Sequence, residues 1–368
     1  MSTIRANVLK MQPYSPGKPI ADVQRELGLT DVVKLASNEN PLGPSPKAIA
    51  AVTEAARQMH IYPDGAAVNL KNALAEHFGI GIENLMVGNG SDELIHLLGL
   101  VFLDSPEDEI VVGNPSFVRY DAAAELAPSR LVRVPLTPDY RHDLPAMARA
   151  VSDKTKLVFI ANPNNPTGTI VTKRELDEFL DSIPSHVVTV LDEAYFEFAA
   201  HVSDYPNSLD YVKAGRNVIG LRTFSKTYGL AGIRLGYGFA PQWVVNAIDR
   251  AREPFNTNSL AQVAAIAALN DEDHIRATVA INETGLKRIS SALEKAGFTP
   301  CESYANFVFA ECHRPAKPIF EALLREGVII RGGDAFGCPT CVRVSVGTPE
   351  EVSKFEQAME RISTGVSV

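Results

Sequence analysis

The feature that most constrains this chain is a series of short runs, four or five residues long, that are apolar almost from end to end. They fall at 85–88, 109–112, 131–135, 157–160, 187–191, 218–221 and 235–239. A strand with one wet face alternates polar and apolar residues, whereas a strand covered on both faces does not. Amphipathic runs with helical spacing lie between many of them, for example at 91–102 and 173–182. Strand and helix in alternation predict an α/β fold, a mainly parallel sheet covered by helices on both sides.

The pattern changes after about residue 259. Helical stretches at 259–269 and 273–296 are followed by an apolar run at 306–310, a helix at 318–326, runs at 328–331 and 341–346, and a last helix at 350–362. This reads as a smaller α+β domain. The expected division is an arm over residues 1–40, Pro-rich at Pro13, Pro16 and Pro19 and packed on the small domain, a large domain over 41–258, and the small domain over 259–368.

Composition narrows the function classes. Hydrophobic residues make up 45% and charged residues 21%, which excludes a disordered chain. Lys and Arg number 35 against 44 Asp and Glu, a net charge of −9. That balance argues against binding nucleic acid or an anionic membrane surface. The stretch 94–103 is too short to span a bilayer, and the first ten residues lack the apolar core of a secretion signal. Four cysteines are too few for a disulfide scaffold, so a cytoplasmic location is expected.

Four loops that follow apolar runs carry the candidate chemistry. In Thr223-Phe224-Ser225-Lys226-Thr227-Tyr228-Gly229, with Arg234 beyond, Lys226 sits just past a strand end, where α/β sheets bind ligands. It reads as a phosphate-binding lysine, an imine-forming lysine with a cationic neighbour, or a solvated surface residue. Asp192, in Leu191-Asp192-Glu193-Ala194-Tyr195, ends a buried strand, where an acid needs a positive partner or serves as a helix cap. The segment Ala161-Asn162-Pro163-Asn164-Asn165-Pro166-Thr167-Gly168 demands a special loop shape, as a tight turn or as a source of amide donors. Gly88-Asn89-Gly90-Ser91-Asp92-Glu93 reads as an anion cradle at a helix start or as an ordinary cap.

Taken together, the four loops supply a lysine, a carboxylate, an amide and a phosphate cradle at strand ends, which is the set that pyridoxal 5'-phosphate needs. Their order and wording resemble the fold-type I pyridoxal-phosphate aminotransferases of class II, and within these the histidinol-phosphate aminotransferase family. The resemblance is carried by Ser37-Asn38-Glu39-Asn40-Pro41-Leu42-Gly43, Tyr62-Pro63-Asp64-Gly65, Asn89-Gly90-Ser91-Asp92-Glu93, Asn165-Pro166-Thr167-Gly168, Asp192-Glu193-Ala194-Tyr195, Ser225-Lys226 and Arg343-Val344-Ser345-Val346-Gly347-Thr348. It runs from about residue 7 to 362.

The resemblance implies a pyridoxal-phosphate enzyme that exchanges an amino group between L-histidinol phosphate and 2-oxoglutarate, working as a homodimer with a shared active site. Lys226 is implied as the covalent anchor and proton shuttle, Asp192 as partner of the pyridine nitrogen, and Asn165 and Tyr195 as partners of the phenolic oxygen. Ser91, Asp92, Thr223, Ser225 and Arg234 are implied to hold the phosphate, with Tyr62 reaching it from the other subunit. Phe117 stands in Pro115-Ser116-Phe117, where the family usually has Tyr; it keeps the ring-stacking surface without the hydroxyl. Arg343 and Arg331 are implied to read the substrate's acidic end, with Tyr14, Asn38 and Phe255 bordering the substrate pocket. Three other readings stay open: an aromatic amino-acid aminotransferase, a phosphothreonine-type decarboxylase, and a non-catalytic regulatory protein on the same scaffold.

No metal is expected. Cys338-Pro339-Thr340-Cys341, with Cys312-His313 upstream, has zinc or redox spacing but no second well-spaced pair. His142, His186 and His201 are expected in exposed loops.

Overall fold

The computed structural model describes residues 3–11, 13, 17–127 and 129–365, with 364 and 365 as backbone alone. Tyr14 therefore lies outside the described residues. Its thirteen strands are β1 (Val33–Lys34), β2 (Leu85–Gly88), β3 (Glu109–Asn114), β4 (Arg130–Pro135), β5 (Thr155–Ala161), β6 (Val188–Asp192), β7 (Val218–Thr223), β8 (Gly236–Phe239), β9 (Thr299–Pro300), β10 (Phe307–Glu311), β11 (Val328–Ile329), β12 (Arg331–Gly332) and β13 (Cys341–Ser345).

Seven strands form one sheet in the order β2-β8-β7-β6-β5-β3-β4. Neighbours are parallel except at β8, which runs antiparallel to both β2 and β7. The reason for the unbroken apolar runs is visible in β3 and β5. Ile110, Val112, Leu157 and Phe159 enter a core shared with the helices Ser91–Phe102 and Gln242–Ala251. Val111, Val158 and Ile160 enter the opposite core, with Leu176 and Phe179 of the helix Lys173–Ser182. Side chains alternate across a strand, so two covered faces require apolar residues at every position.

The second body is an antiparallel sheet, β12-β13-β10-β9, packed against the helices Glu272–Lys295, Ala316–Arg325 and Pro349–Gly365. The run expected at 328–331 is divided between two sheets: β11 pairs with β1, and β12 pairs with β13. Val23 and Ala36 pack with Leu324 and Ile329, so this part of the arm lies on the second body. Nearer the N-terminus, Arg5 and Asn7 donate to the carbonyls of Leu126 and Glu125 in the first body.

The helix Ser259–Leu269 belongs to the core of the first body. Ala261, Ala264, Ala265 and Ala268 are buried against Leu70, Leu74 and Ala48, because small residues let the helices approach closely. We propose that the domain boundary lies after this helix rather than at residue 259. His142 is likewise not the exposed loop residue expected: its ring is buried beside Gly113, where a Cβ would lie 2.3 Å from Nδ1. Burial pushes this imidazole down to about 4. His186 and His201 are exposed.

Candidate active site

Strand direction gathers the four loops at one sheet edge. Parallel strands β5, β6 and β7 end there at Ala161, Asp192 and Thr223. Antiparallel β8 begins there, with Gly236 paired to both Gly88 and Thr223, so Arg234 at its start joins them. A cavity of about 940 Å³ opens above this edge, lined among others by Ser91, Asp92, Phe117, Asn165, Asp192, Tyr195, Thr223, Ser225, Lys226 and Arg234. Asn38, Arg331 and Arg343 line it from the arm and the second body.

Two glycines shape one end. Gly90 caps the helix Ser91–Phe102 with φ 79°, and a Cβ on it would lie 2.5 Å from Arg234 Nη2. A Cβ on Gly236 would lie 2.3 Å from the Ser91 nitrogen. Their absence of side chains lets β8 and the guanidinium close on the helix start, whose first N–H groups face outward. Arg234 donates to Asp92 at 3.2 Å and to the Ala231 carbonyl at 3.0 Å. Thr223 Oγ1 donates to Ser225 Oγ and accepts from the Ser225 N–H, which folds the hydroxyls beside Lys226. Hydroxyls, helix-start N–H groups and a guanidinium together form an anion site.

Lys226 is half-buried, and its amine is lowered to about 8 by desolvation and then by Arg343. Asp192 is buried too, and burial raises its carboxyl to about 6 against the pull of its hydrogen bonds from Tyr120 and the Ala194 N–H. Tyr195, raised to about 12 by burial, accepts from Asn38 Nδ2 at 2.8 Å. Asn38 in turn is held by Ser345, whose hydroxyl donates to Asn38 Oδ1 at 2.7 Å.

At the far end Arg343 is buried, donating to Asn165 Oδ1 at 2.6 Å and to the Ala36 carbonyl at 2.9 Å. Its guanidinium carbon lies 5.0 Å from the Phe336 ring and 5.1 Å from Phe307. Arg331 faces it across the β12–β13 pair.

Tyr62, expected to serve the other subunit, and Phe255, expected at the pocket wall, both lie outside this chain's cavity lining. Tyr62 is 81% exposed and Phe255 46% exposed, and their rings stack on each other at 4.9 Å, away from the cavity lining. Phe255, with φ 58°, does not line this chain's cavity. Conversely, Phe336, Glu39 and Arg119 line the cavity, and Tyr120 reaches Asp192. Tyr120 could not be found from local spacing, because its partner Asp192 is 72 residues away, whereas Glu39 and Arg119 lie close to Asn38 and Phe117 in the chain. Among the described residues no group of three or more His, Cys, Asp and Glu is arranged to hold a metal, and the four cysteines are free thiols. No described helix is long and apolar enough to cross a membrane.

A sheet edge carrying a half-buried lysine, a buried acid and an anion cradle fits the family described as aminotransferase class I and II, whose model matches residues 30–362, and the chain belongs to that family. Among curated proteins it is 50% identical over 359 residues to histidinol-phosphate aminotransferase of Moorella thermoacetica, covering 97% of this chain and 92% of that one. It is 46% identical to histidinol-phosphate aminotransferase 2 of Carboxydothermus hydrogenoformans, covering 98% and 99%. The solved histidinol-phosphate aminotransferase of Sinorhizobium meliloti, in complex with pyridoxal-5'-phosphate, matches with a TM-score of 0.91 at 28% identity over 100% and 99% of the two chains.

Proposed function

We propose that the chain is a pyridoxal-phosphate-dependent transaminase that moves an amino group between L-histidinol phosphate and 2-oxoglutarate, acting as a homodimer in the cytoplasm. The names of relatives up to 50% identical support the substrate. The observation that carries the reading is one cavity with Lys226 and Asp192 at its floor, an anion cradle at one end and Arg343 with Arg331 at the other.

The donor set fits the cofactor. An amine lowered to about 8 is neutral often enough near pH 7 to attack a carbonyl, a buried acid matches a pyridine nitrogen, and the glycine-lined cradle matches a phosphate. When bound, pyridoxal phosphate supplies a cationic ring that withdraws electrons and makes the substrate Cα–H acidic. Asp192 keeps that ring nitrogen protonated. Lys226 anchors the cofactor and then carries the Cα proton. Asn165 and Tyr195 hold the phenolic oxygen, and Phe117 covers the ring face. Ser91, Asp92, Thr223, Ser225 and Arg234 hold the phosphate. Arg343, with Arg331, binds the substrate's anionic end, since a planar guanidinium serves phosphate and carboxylate equally. Tyr62, exposed in one subunit, completes the partner's phosphate site.

The test is specific activity on histidinol phosphate, phenylalanine and phosphothreonine side by side, with 2-oxoglutarate as acceptor. The expected result is a preference for histidinol phosphate by at least tenfold. A preference for phenylalanine, or decarboxylation of phosphothreonine, overturns the substrate assignment; absence of any turnover overturns the enzymatic one.

A further inference from the structure

We propose that Tyr120 is a positioning residue whose hydroxyl fixes the Asp192 carboxylate from behind, so that the acid faces the cavity in its charged form. The inference rests on the pyridoxal-phosphate reading, which gives Asp192 the ring nitrogen as its partner.

Tyr120 stands in the first turn of the helix Arg119–Leu126, three residues after Phe117, and is 1% exposed. Its hydroxyl donates to Asp192 Oδ2 at 2.8 Å, while Oδ1 accepts the Ala194 N–H at 3.2 Å. Each carboxylate oxygen thus has one protein donor, and the lone pairs that remain serve the cavity that Asp192 lines. Among the described residues, Tyr120 supplies the one side-chain hydrogen bond to this carboxylate.

The phenol cannot swing away. Its ring stacks on Phe159 at 4.6 Å and 20°, and Phe159 pairs with Val190 on the strand that carries Asp192. Its edge meets Phe117 at 5.8 Å and 84°, so the same ring also braces the residue assigned to the cofactor face. Charge makes the donor matter. Burial above all, and then Asp92 from the start of the helix Ser91–Phe102 and Glu193 from the same strand end, favour a protonated Asp192. Tyr195 also lies within electrostatic reach. The Tyr120 and Ala194 donors work in the opposite direction. Burial, then the Asp192 charge, keep the phenol itself protonated, so it remains a donor. A hydrogen bond to an ionised acceptor is among the strong ones, and its loss leaves a buried charge less satisfied.

Tyr120→Phe removes the donor and keeps the ring. The apoprotein is expected to bind pyridoxal phosphate about tenfold more weakly, and the Asp192 carboxyl, followed in apoprotein by carbon NMR of labelled aspartate, to titrate at higher pH. In the holoenzyme kcat should fall about tenfold while KM for the amino donor stays within about twofold. Phe159→Leu is the control: it loosens the packing but keeps the hydroxyl, and should lower Tm while leaving the titration in place. Should Tyr120→Phe not fold, 3-fluorotyrosine installed in place of Tyr120 keeps the shape, strengthens the donor and should move the titration downward. The proposal is overturned if Tyr120→Phe, or the fluorinated protein, leaves the carboxyl titration unmoved, or if Phe159→Leu moves it as far. A wild-type apoprotein that binds no pyridoxal phosphate overturns the cofactor reading instead, and the apoprotein titration still decides the Tyr120 bond.

Discussion

Lys226 and Asp192 occupy the same cavity floor and are displaced from their ordinary ionisation in opposite directions by the same cause, burial, which disfavours whichever form is charged. For Lys226 the consequence is measurable without cofactor. Its amine titrates at about 8 when folded and at 10.5 in the unfolded reference, so between these values the unfolded chain binds more protons and stability rises with pH. Lys226→Met is therefore expected to stabilise the apoprotein at pH 7 by up to about 3 kcal/mol, with the gain shrinking as pH rises from 8 to 10.5. Urea unfolding across that range checks it; a gain that grows with pH contradicts the assignment. The same variant should lose all borohydride-trapped cofactor. Arg343→Leu should lower kcat/KM for histidinol phosphate by roughly 10²–10³, and for uncharged histidinol by much less, because charge-assisted bonds are lost only with the anion. Equal losses on both compounds would show that Arg343 does not read the charge. Lys226, Asp192 and Arg343 were legible because each stands at a strand end or within a distinctive motif. Tyr120 was not, because its partner Asp192 is 72 residues away and only the helix packing brings them together.

At the scale of elements, the ends of β6 and β7 are tied by a buried ion pair. Glu193 follows Asp192, Arg222 precedes Thr223, and their side chains meet at 2.8 Å with both almost wholly enclosed. Arg222 also donates to Asn207 at 2.7 Å and lies 3.3 Å from the centre of the Phe196 ring. The Glu193 carboxylate takes further bonds from the Ser208 N–H and hydroxyl. Removing one partner strands the other charge in a dry interior, so Glu193→Ala should cost about 3–5 kcal/mol, read from urea midpoints. Replacing both residues with apolar ones of similar volume should cost clearly less; an equal loss would mean that shape rather than charge holds the strand ends together. The helices Ser91–Phe102, Lys173–Ser182 and Ser259–Leu269 could be read at the same bounds from periodicity and caps. Which core each one joins could not, since periodicity marks an apolar face but not its neighbour.

For the whole molecule, Tyr62 and Phe255 are the informative residues. Tyr62 was expected to serve the other subunit and Phe255 to border the pocket; in one chain they form an exposed aromatic pair away from it. The proposed dimer with shared sites predicts a test of Tyr62. Mixed Lys226→Ala and Tyr62→Phe chains, each impaired alone, should regain activity as heterodimers, up to about a quarter of wild type if one site of two is intact and assembly is random. No recovery in verified heterodimers would remove Tyr62 from the site. The apolar runs and the amphipathic runs between them were sufficient to specify a covered, mainly parallel sheet, because burial on two faces dictates residue type at every position. Strand-end motifs were sufficient to locate the lysine, the acid and the anion cradle, because a parallel sheet presents its loops on one edge. Tertiary structure alone decided that β8 reverses to bring Arg234 to that edge, and that Ser259–Leu269 joins the first core. It also decided that His142 is buried and that Tyr120 backs Asp192. Each of these depends on contacts between residues far apart in sequence, where the energy lies in packing and desolvation rather than in any local preference of the chain.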